Sequence, residues 1–144
     1  METIAMGRVV AEITVESLED LWDVRQGRKT ADQVRRVVIP DALVDTGAMF
    51  LSMPTRLIKQ LGLQETRRRR FLSSLGLGET SMYDAVRLTI QGRDCVVDVA
   101  EVPDEVPVLI GQIPLEHLDF VVDLANRKLI GNPAHGGEYM FEMY

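Results

Sequence analysis

The sequence predicts an all-β fold with one or two short helices. Short β-branched stretches recur along the chain, several of them alternate polar with apolar residues, and turn residues separate them at close intervals. A length of 144 residues suits one ordinary domain, and no internal repeat or linker divides the chain. We therefore expect a single domain over residues 1–144.

The N-terminal third contains three candidate strands. Residues 9–15 alternate in the manner of a half-buried strand, and 34–39 form a β-branched run. Pro40-Asp41 predicts a bend before a short apolar strand at 42–44. Residues 18–27 stay open between a helix, which their apolar spacing favours, and an irregular connection or hairpin, which the turn after them favours.

The middle of the chain combines a helix with a glycine-rich segment. Pro54 opens a predicted helix at 55–61, which Gly62 ends. Four consecutive arginines lie within 65–70, and a run of like charge favours a solvated face over a docking patch for an acidic partner. The small residues of 71–86 predict a hairpin tip or a lid.

The C-terminal part consists of further short elements and an arm. In chain order these are a hairpin of 87–90 and 94–102, an apolar strand at 106–110, a short helix at 115–118 opened by Pro114, and a hairpin of 120–123 and 128–130. Residues 132–144 show no clear period, which predicts a C-terminal arm.

Composition excludes some classes of function. With 22 acidic residues against 16 lysines and arginines, the net charge of −6 argues against a nucleic-acid binder held by phosphate contacts. No uncharged run approaches the roughly 18 residues needed to span a membrane. Cys95 is the only cysteine and cannot form an internal disulfide, and Arg8 and Glu12 interrupt any apolar leader. We expect a cytoplasmic protein that binds neither nucleic acid nor membrane.

One motif indicates a specific chemistry. It is Asp45-Thr46-Gly47-Ala48, which directly follows the apolar residues 42–44. Peptide hydrolysis without a metal or a nucleophilic side chain needs a base that activates water and an acid that protonates the leaving nitrogen. Two carboxylates about 3 Å apart meet both needs, because like charges at contact cannot both ionise. The chain offers the motif once, so a second copy must supply the other carboxylate across a two-fold axis.

Several motifs in order resemble the retropepsin-like aspartic proteases, the family of retroviral proteases and their bacterial single-domain relatives. An apolar strand precedes Asp-Thr-Gly-Ala, a glycine-rich segment follows at 73–78, and Val108-Leu109-Ile110-Gly111 stands before a helix. Asp45 and Gly111 are 66 positions apart (111 − 45), which leaves room for a flap hairpin and two more strands. The resemblance covers about 8–131 and leaves 132–144 as the arm.

The resemblance implies a closed β-barrel that forms a homodimer with its active site on the two-fold axis. It implies an aspartic endopeptidase that needs no cofactor or metal and takes a peptide or protein substrate. The implied site comprises Asp45 as the catalytic carboxylate, Thr46, Gly47 and Ala48 as its support, Leu109, Ile110 and Gly111 as the strand behind it, and a flap at 73–85 with Leu75, Gly76, Leu77, Gly78 and Tyr83 over the substrate.

Two positions depart from the pattern of the retroviral members. Gln112 stands where they tend to have an arginine that pairs with an acidic residue at the interface. Met49 stands two residues after the catalytic glycine, where they commonly have Ser, Thr or Asp. Both differences bear on the dimer contacts and the substrate pocket, whereas the carboxylate is present.

Alternative interpretations remain at this stage. Asp before Thr-Gly is also a common turn former, and Tyr83 suits a packing aromatic as well as a flap residue. A non-catalytic dimeric barrel that binds an extended peptide in the same groove is the alternative function. The sequence does not favour a metal site, because His117 and His135 have no metal-ligand spacing. It does not favour a nucleotide-binding loop either, because Gly76-Leu77-Gly78 lacks the third glycine.

Overall fold

The computed structural model describes residues 8–144, so residues 1–7 of the expected domain lie outside the described part. The described chain is mainly β, as predicted. Its strands are β1 (Val10–Ser17), β2 (Arg36–Val44), β3 (Leu51–Pro54), β4 (Gln64–Ser73), β5 (Gly76–Ile90), β6 (Arg93–Val102), β7 (Leu109–Ile110), β8 (Phe120–Asp123) and β9 (Lys128–Gly131). Its α-helices are α1 (Leu18–Arg25), α2 (Thr55–Leu61) and α3 (Gln112–His117).

Seven strands form one sheet, in the order β1-β2-β7-β3-β6-β5-β4. Because β5 also pairs with β1, the pairings run in a closed circuit from which only β4 projects. Most neighbours are antiparallel, but β2 with β7 and β3 with β6 are parallel. The circuit encloses the apolar core, whose fully buried side chains include Ile13, Val15, Leu51, Met53, Val86, Leu88, Val99 and Ile110. β8 and β9 form a separate hairpin.

The two strands expected on either side of Pro40-Asp41 are one strand, because β2 runs through both residues, and the expected bend takes the form of a β-bulge. The pairing of β1 with β2 shifts there: Ala11 faces Ala42 and Ile13 faces Ile39, so Glu12 alone lies opposite the two. A bulge of this kind leaves one residue of the ladder unpaired, and proline has no N–H to donate. The bulge therefore accommodates Pro40 inside the strand, which would otherwise end there.

Residues 18–25 are a helix, which settles the segment that the sequence left open. The Ser17 hydroxyl accepts a hydrogen bond from the Asp20 N–H (3.2 Å) and caps the first turn. The Asp20 carboxylate is fully buried, yet it accepts hydrogen bonds from Arg35 at Nε (2.8 Å) and Nη2 (2.9 Å), and from Lys29 (2.5 Å). Arg35 and Lys29 hold the pKa of Asp20 well below its usual range, against the opposing effect of burial.

We expect Asp20→Asn to lower the free energy of unfolding by about 2 kcal/mol at neutral pH, because charge-assisted hydrogen bonds become neutral ones. A depressed carboxyl pKa stabilises the fold above the unfolded value, near 3.9, and this contribution is lost as the pH falls through the lower folded value. Denaturant unfolding at several pH values should show the difference shrinking below about pH 4. Asp23→Asn, on the same helix with a more exposed carboxylate, is the matched control and should change stability less.

The helix predicted at 55–61 is confirmed, and Gly62 ends it in the left-handed conformation at φ 66°. The hairpin of β5 and β6 is also confirmed: Gln91 (φ 51°) and Gly92 (φ 80°) form a two-residue turn with positive φ at both positions. The closing hairpin of β8 and β9 forms as expected.

Two C-terminal predictions have the wrong bounds. The apolar strand expected at 106–110 is only Leu109–Ile110, since Pro107 offers no N–H to a neighbouring strand. The helix expected at 115–118 begins at Gln112, so that Pro114 lies inside the first turn, where a missing N–H costs nothing. The earlier start brings the helix N-terminus against the loop after Asp45.

Arg93 ties the C-terminal arm to the domain. Its guanidinium donates to the carbonyls of Leu118 (2.9 Å), Asp119 (2.9 Å) and Gly137 (2.6 Å) and lies over the Tyr139 ring. The Asp119 carboxylate also hydrogen-bonds the His135 ring (2.7 Å), which raises the pKa of that histidine. Further contacts of Tyr139, Met140 and Glu142 hold the arm as far as Glu142. Of the helices in residues 8–144, none has the length and hydropathy that a bilayer crossing requires.

Candidate active site

Asp45 lies where β2 ends, at the start of a tight loop. Its own N–H donates to the Ile110 carbonyl (3.0 Å), which continues the parallel pairing of β2 with β7 by one residue. The Gly47 N–H donates to the Asp45 carboxylate at Oδ1 (2.9 Å), and the Ala48 N–H donates to the Asp45 carbonyl (3.0 Å). The backbone of the motif therefore fixes both the position and the orientation of the carboxylate.

The chain from Gly111 onward supports the other end of this loop. Gly111 donates its N–H to the Phe50 carbonyl (3.0 Å), Gln112 to Ala48 (2.9 Å) and Ile113 to Met49 (2.8 Å). All three donors lie at the N-terminus of α3, where N–H groups have no partner within the helix. Leu109, Ile110 and Gly111 thus lie directly beside the loop, with β7 between β2 and β3.

Gly111 is the point of closest approach between the two segments. A Cβ built on it would lie 2.5 Å from the Phe50 carbonyl oxygen, 2.7 Å from the Met49 carbonyl carbon and 2.8 Å from the Ala48 carbonyl oxygen. All three are backbone atoms, which cannot rotate away as a side chain could. No larger residue fits here without moving the loop that carries Asp45.

The loop opens toward solvent in the single chain. Asp45 is half-buried, Thr46 and Gly47 are exposed, and Met49 is 57% exposed. Within residues 8–144 no second carboxylate hydrogen-bonds Asp45, and no group of three or more His, Cys, Asp or Glu could hold a metal ion. One chain therefore presents one carboxylate at an open surface.

The predicted flap segment 73–85 falls on a long hairpin formed by β4 and β5. The hairpin turns at Ser74-Leu75, and Leu75 at its tip is 97% exposed. Leu77 is also exposed, whereas Gly78 lies under the Phe71 ring, since a Cβ there would approach that ring to 2.3 Å. Segment 73–85 covers the tip and one strand, and the partner strand carries the arginine run.

Tyr83 lies at the base of this hairpin, far along the strand from its tip. It pairs with Val99 of β6, and its hydroxyl donates to the Glu101 carboxylate (3.1 Å). Burial and the nearby Glu101 carboxylate raise the pKa of the Tyr83 hydroxyl. The structure therefore places Tyr83 apart from Leu75, Gly76, Leu77 and Gly78.

The hairpin contacts the loop after Asp45 through the arginine run, at Phe50, a residue that the sequence did not single out. The Arg69 guanidinium lies 5.3 Å from the centroid of the Phe50 ring. Two residues earlier, Arg67 donates to the Asp98 carboxylate (2.8 Å). Burial and the neighbouring Asp98 carboxylate together raise the pKa of Asp84. No pattern in the sequence pairs Phe50 with the arginine run, because the two are brought together only by the fold.

A family model described as aspartyl protease matches residues 27–113, which is more than half of the chain. The matched range begins before β2 and ends just past Gly111, so it includes the Asp45 loop, the β4–β5 hairpin and β7. No curated protein matches the chain.

Proposed function

The chain belongs to the retropepsin-like aspartyl protease family, and from this premise we propose that it is an endopeptidase whose dyad is formed by Asp45 of two subunits. The observation that carries the proposal is the Asp45 loop, which fixes one carboxylate at an open surface by a hydrogen bond from Gly47. One carboxylate cannot serve as both base and acid. A second copy, related by a two-fold axis, completes the pair.

In the proposed reaction, the ionised carboxylate takes a proton from the shared water while the protonated carboxyl group of the other subunit donates its proton to the peptide carbonyl oxygen. The water oxygen bonds to the carbonyl carbon. The C–N bond then breaks as the leaving nitrogen receives the proton that was taken from the water, and the second carboxyl group regains a proton from a hydroxyl of the intermediate. The Gly47 N–H orients each carboxylate, and the support expected from Thr46 stays a prediction. The β4–β5 hairpin acts as the flap that covers an extended peptide and excludes water. The closed circuit of strand pairings supports the barrel.

Assembly can be tested by dilution. The specific activity toward a denatured protein at mildly acidic pH should fall as the chain is diluted below its dimer dissociation constant, because each monomer holds half a site. Initial rates over a range of concentrations, with sedimentation in parallel, provide the measurement. An active monomer would contradict the two-subunit dyad. A dimer that binds peptides without cleaving them would favour the alternative of a non-catalytic binding protein.

A further inference from the structure

Arg69 is held against the candidate active-site loop by an aromatic ring. Its guanidinium lies over Phe50 at 5.3 Å from the ring centroid, a cation–π geometry. Phe50 comes five residues after Asp45, and its carbonyl accepts the Gly111 N–H at 3.0 Å. The ring belongs to the same hydrogen-bonded loop as the carboxylate, so the contact fixes Arg69 relative to the site.

Strand register separates the four arginines into two pairs. Arg68 faces Ser81 and Arg70 faces Glu79 across the hairpin, so these two share one face. Arg67 and Arg69 occupy the opposite face, which contacts Asp98 and Phe50. Only this second face meets the loop that carries Asp45.

Ion pairing then separates Arg67 and Arg68 from Arg69 and Arg70. Arg67 is paired with Asp98 and Arg68 with Glu79, each at 2.8 Å. Among residues 8–144, no carboxylate lies within ion-pair distance of Arg69, although its side chain is exposed. On the face toward the active-site loop, Arg69 is therefore the cation without an acidic partner in the described chain.

A guanidinium carries its N–H donors at the edge of its own plane, so Arg69, whose central carbon lies over the Phe50 ring, keeps donors for a ligand. These donors match a carboxylate in a two-pronged geometry that lysine cannot provide. A cavity of about 190 Å³ beside this contact is lined by Phe50, Asp98 and His117 among others. Arg67 pairs with Asp98, so Asp98 does not occupy Arg69, and an acidic side chain of a peptide can bind it.

We propose that Arg69, held over the Phe50 ring, selects peptides that carry a glutamate or aspartate side chain close to the scissile bond. This inference rests on the proposed function, since it assigns a substrate class to that groove. Arg69 acts as a specificity residue and takes no part in the proton transfers.

The test uses full-length Asp45→Asn protein, which keeps the groove without cleaving its ligand. Fluorescent octapeptides with an apolar central pair carry Glu at each flanking position in turn, and matched peptides carry Gln or Lys there. Anisotropy at pH 6.5, where a glutamate is ionised, gives their affinities. We expect one position at which Glu binds about tenfold more tightly than Gln, as a charge-assisted hydrogen bond predicts. Lys should bind more weakly than Gln at that position.

Two further substitutions in the same background locate the effect. Arg69→Gln should equalise the Glu and Gln peptides, and Arg69→Glu should reverse the preference toward Lys. Arg70→Gln is the matched control, because it removes one positive charge from the same strand on the opposite face. It should leave the preference for Glu intact.

Equal binding of Glu and Gln peptides at every position would overturn the inference, as would a preference that survives Arg69→Gln or a failure to bind any of the peptides. The proposed function is judged separately, by cleavage with the unsubstituted protein. Binding that favours Glu without cleavage would support the role of Arg69 while contradicting the peptidase. Cleavage by the unsubstituted protein, with no preference for Glu peptides, would support the peptidase and contradict the role of Arg69.

Discussion

Asp45→Asn should abolish peptidase activity while leaving a folded dimer. Asparagine keeps the shape of the side chain and can still accept the Gly47 N–H, but it cannot exchange a proton with water. Loss of a positioned acid–base group costs on the order of 10²–10⁴-fold in rate, and the substitution removes both members of the proposed dyad. Initial rates on a denatured protein, with circular dichroism and sedimentation of the same samples, provide the measurement.

Asp41→Asn is the matched control, because it replaces an exposed carboxylate four residues earlier in β2. It should leave the rate unchanged. Mixing Asp45→Asn chains with parent chains should lower activity further than equal dilution with buffer, since mixed dimers hold one carboxylate. Cleavage by Asp45→Asn at the parent rate would show that Asp45 is only a turn residue.

Gly111→Ala should both destabilise the fold and inactivate the site. The added Cβ would meet three backbone atoms of residues 48–50 at 2.5–2.8 Å, so relief requires the loop itself to move. We expect a loss of about 3 kcal/mol in the free energy of unfolding, at the upper end for an overpacked position. Denaturant unfolding and the rate per folded molecule measure the two effects.

Gly92→Ala separates this clash from the general cost of adding a methyl group to glycine. At Gly92 a Cβ meets nothing within 4 Å, but φ is +80°, so alanine there is strained by about 1 kcal/mol. We expect a smaller loss of stability and an unchanged rate per folded molecule. A Gly111→Ala protein as stable and active as the parent would contradict the prediction, because it would show that residues 48–50 can move at little cost in free energy.

The sequence predicted those features that depend on local chemistry. Gly62 ends its helix because a left-handed residue is needed there, and Gln91-Gly92 supplies a turn with positive φ at both positions. Asp45 was identifiable because the motif contains both the carboxylate and the N–H group that orients it. In each case the residues that make the structure are neighbours in the chain.

Features that depend on distant partners were not predictable. β4 shows no polar–apolar alternation, since all ten of its residues are exposed, and its sequence alone suggests only a charged surface. The β2 bulge becomes visible only when Glu12 is placed opposite Pro40-Asp41. Likewise the Arg69–Phe50 contact joins two segments with α2 between them. Tertiary pairing determines these features, and one sequence does not reveal it.

The position of β4 at the end of the sheet gives the arginine run a further consequence. Among the described strands, β4 pairs with β5 alone, so its outer edge offers unpaired backbone groups to any other extended chain. Two such edges brought together would oppose Arg67–Arg70 of one copy to the same four side chains of another. Arg69 and Arg70 form no ion pair within residues 8–144, so we expect repulsion between their charges to disfavour edge-to-edge joining of this long, exposed hairpin.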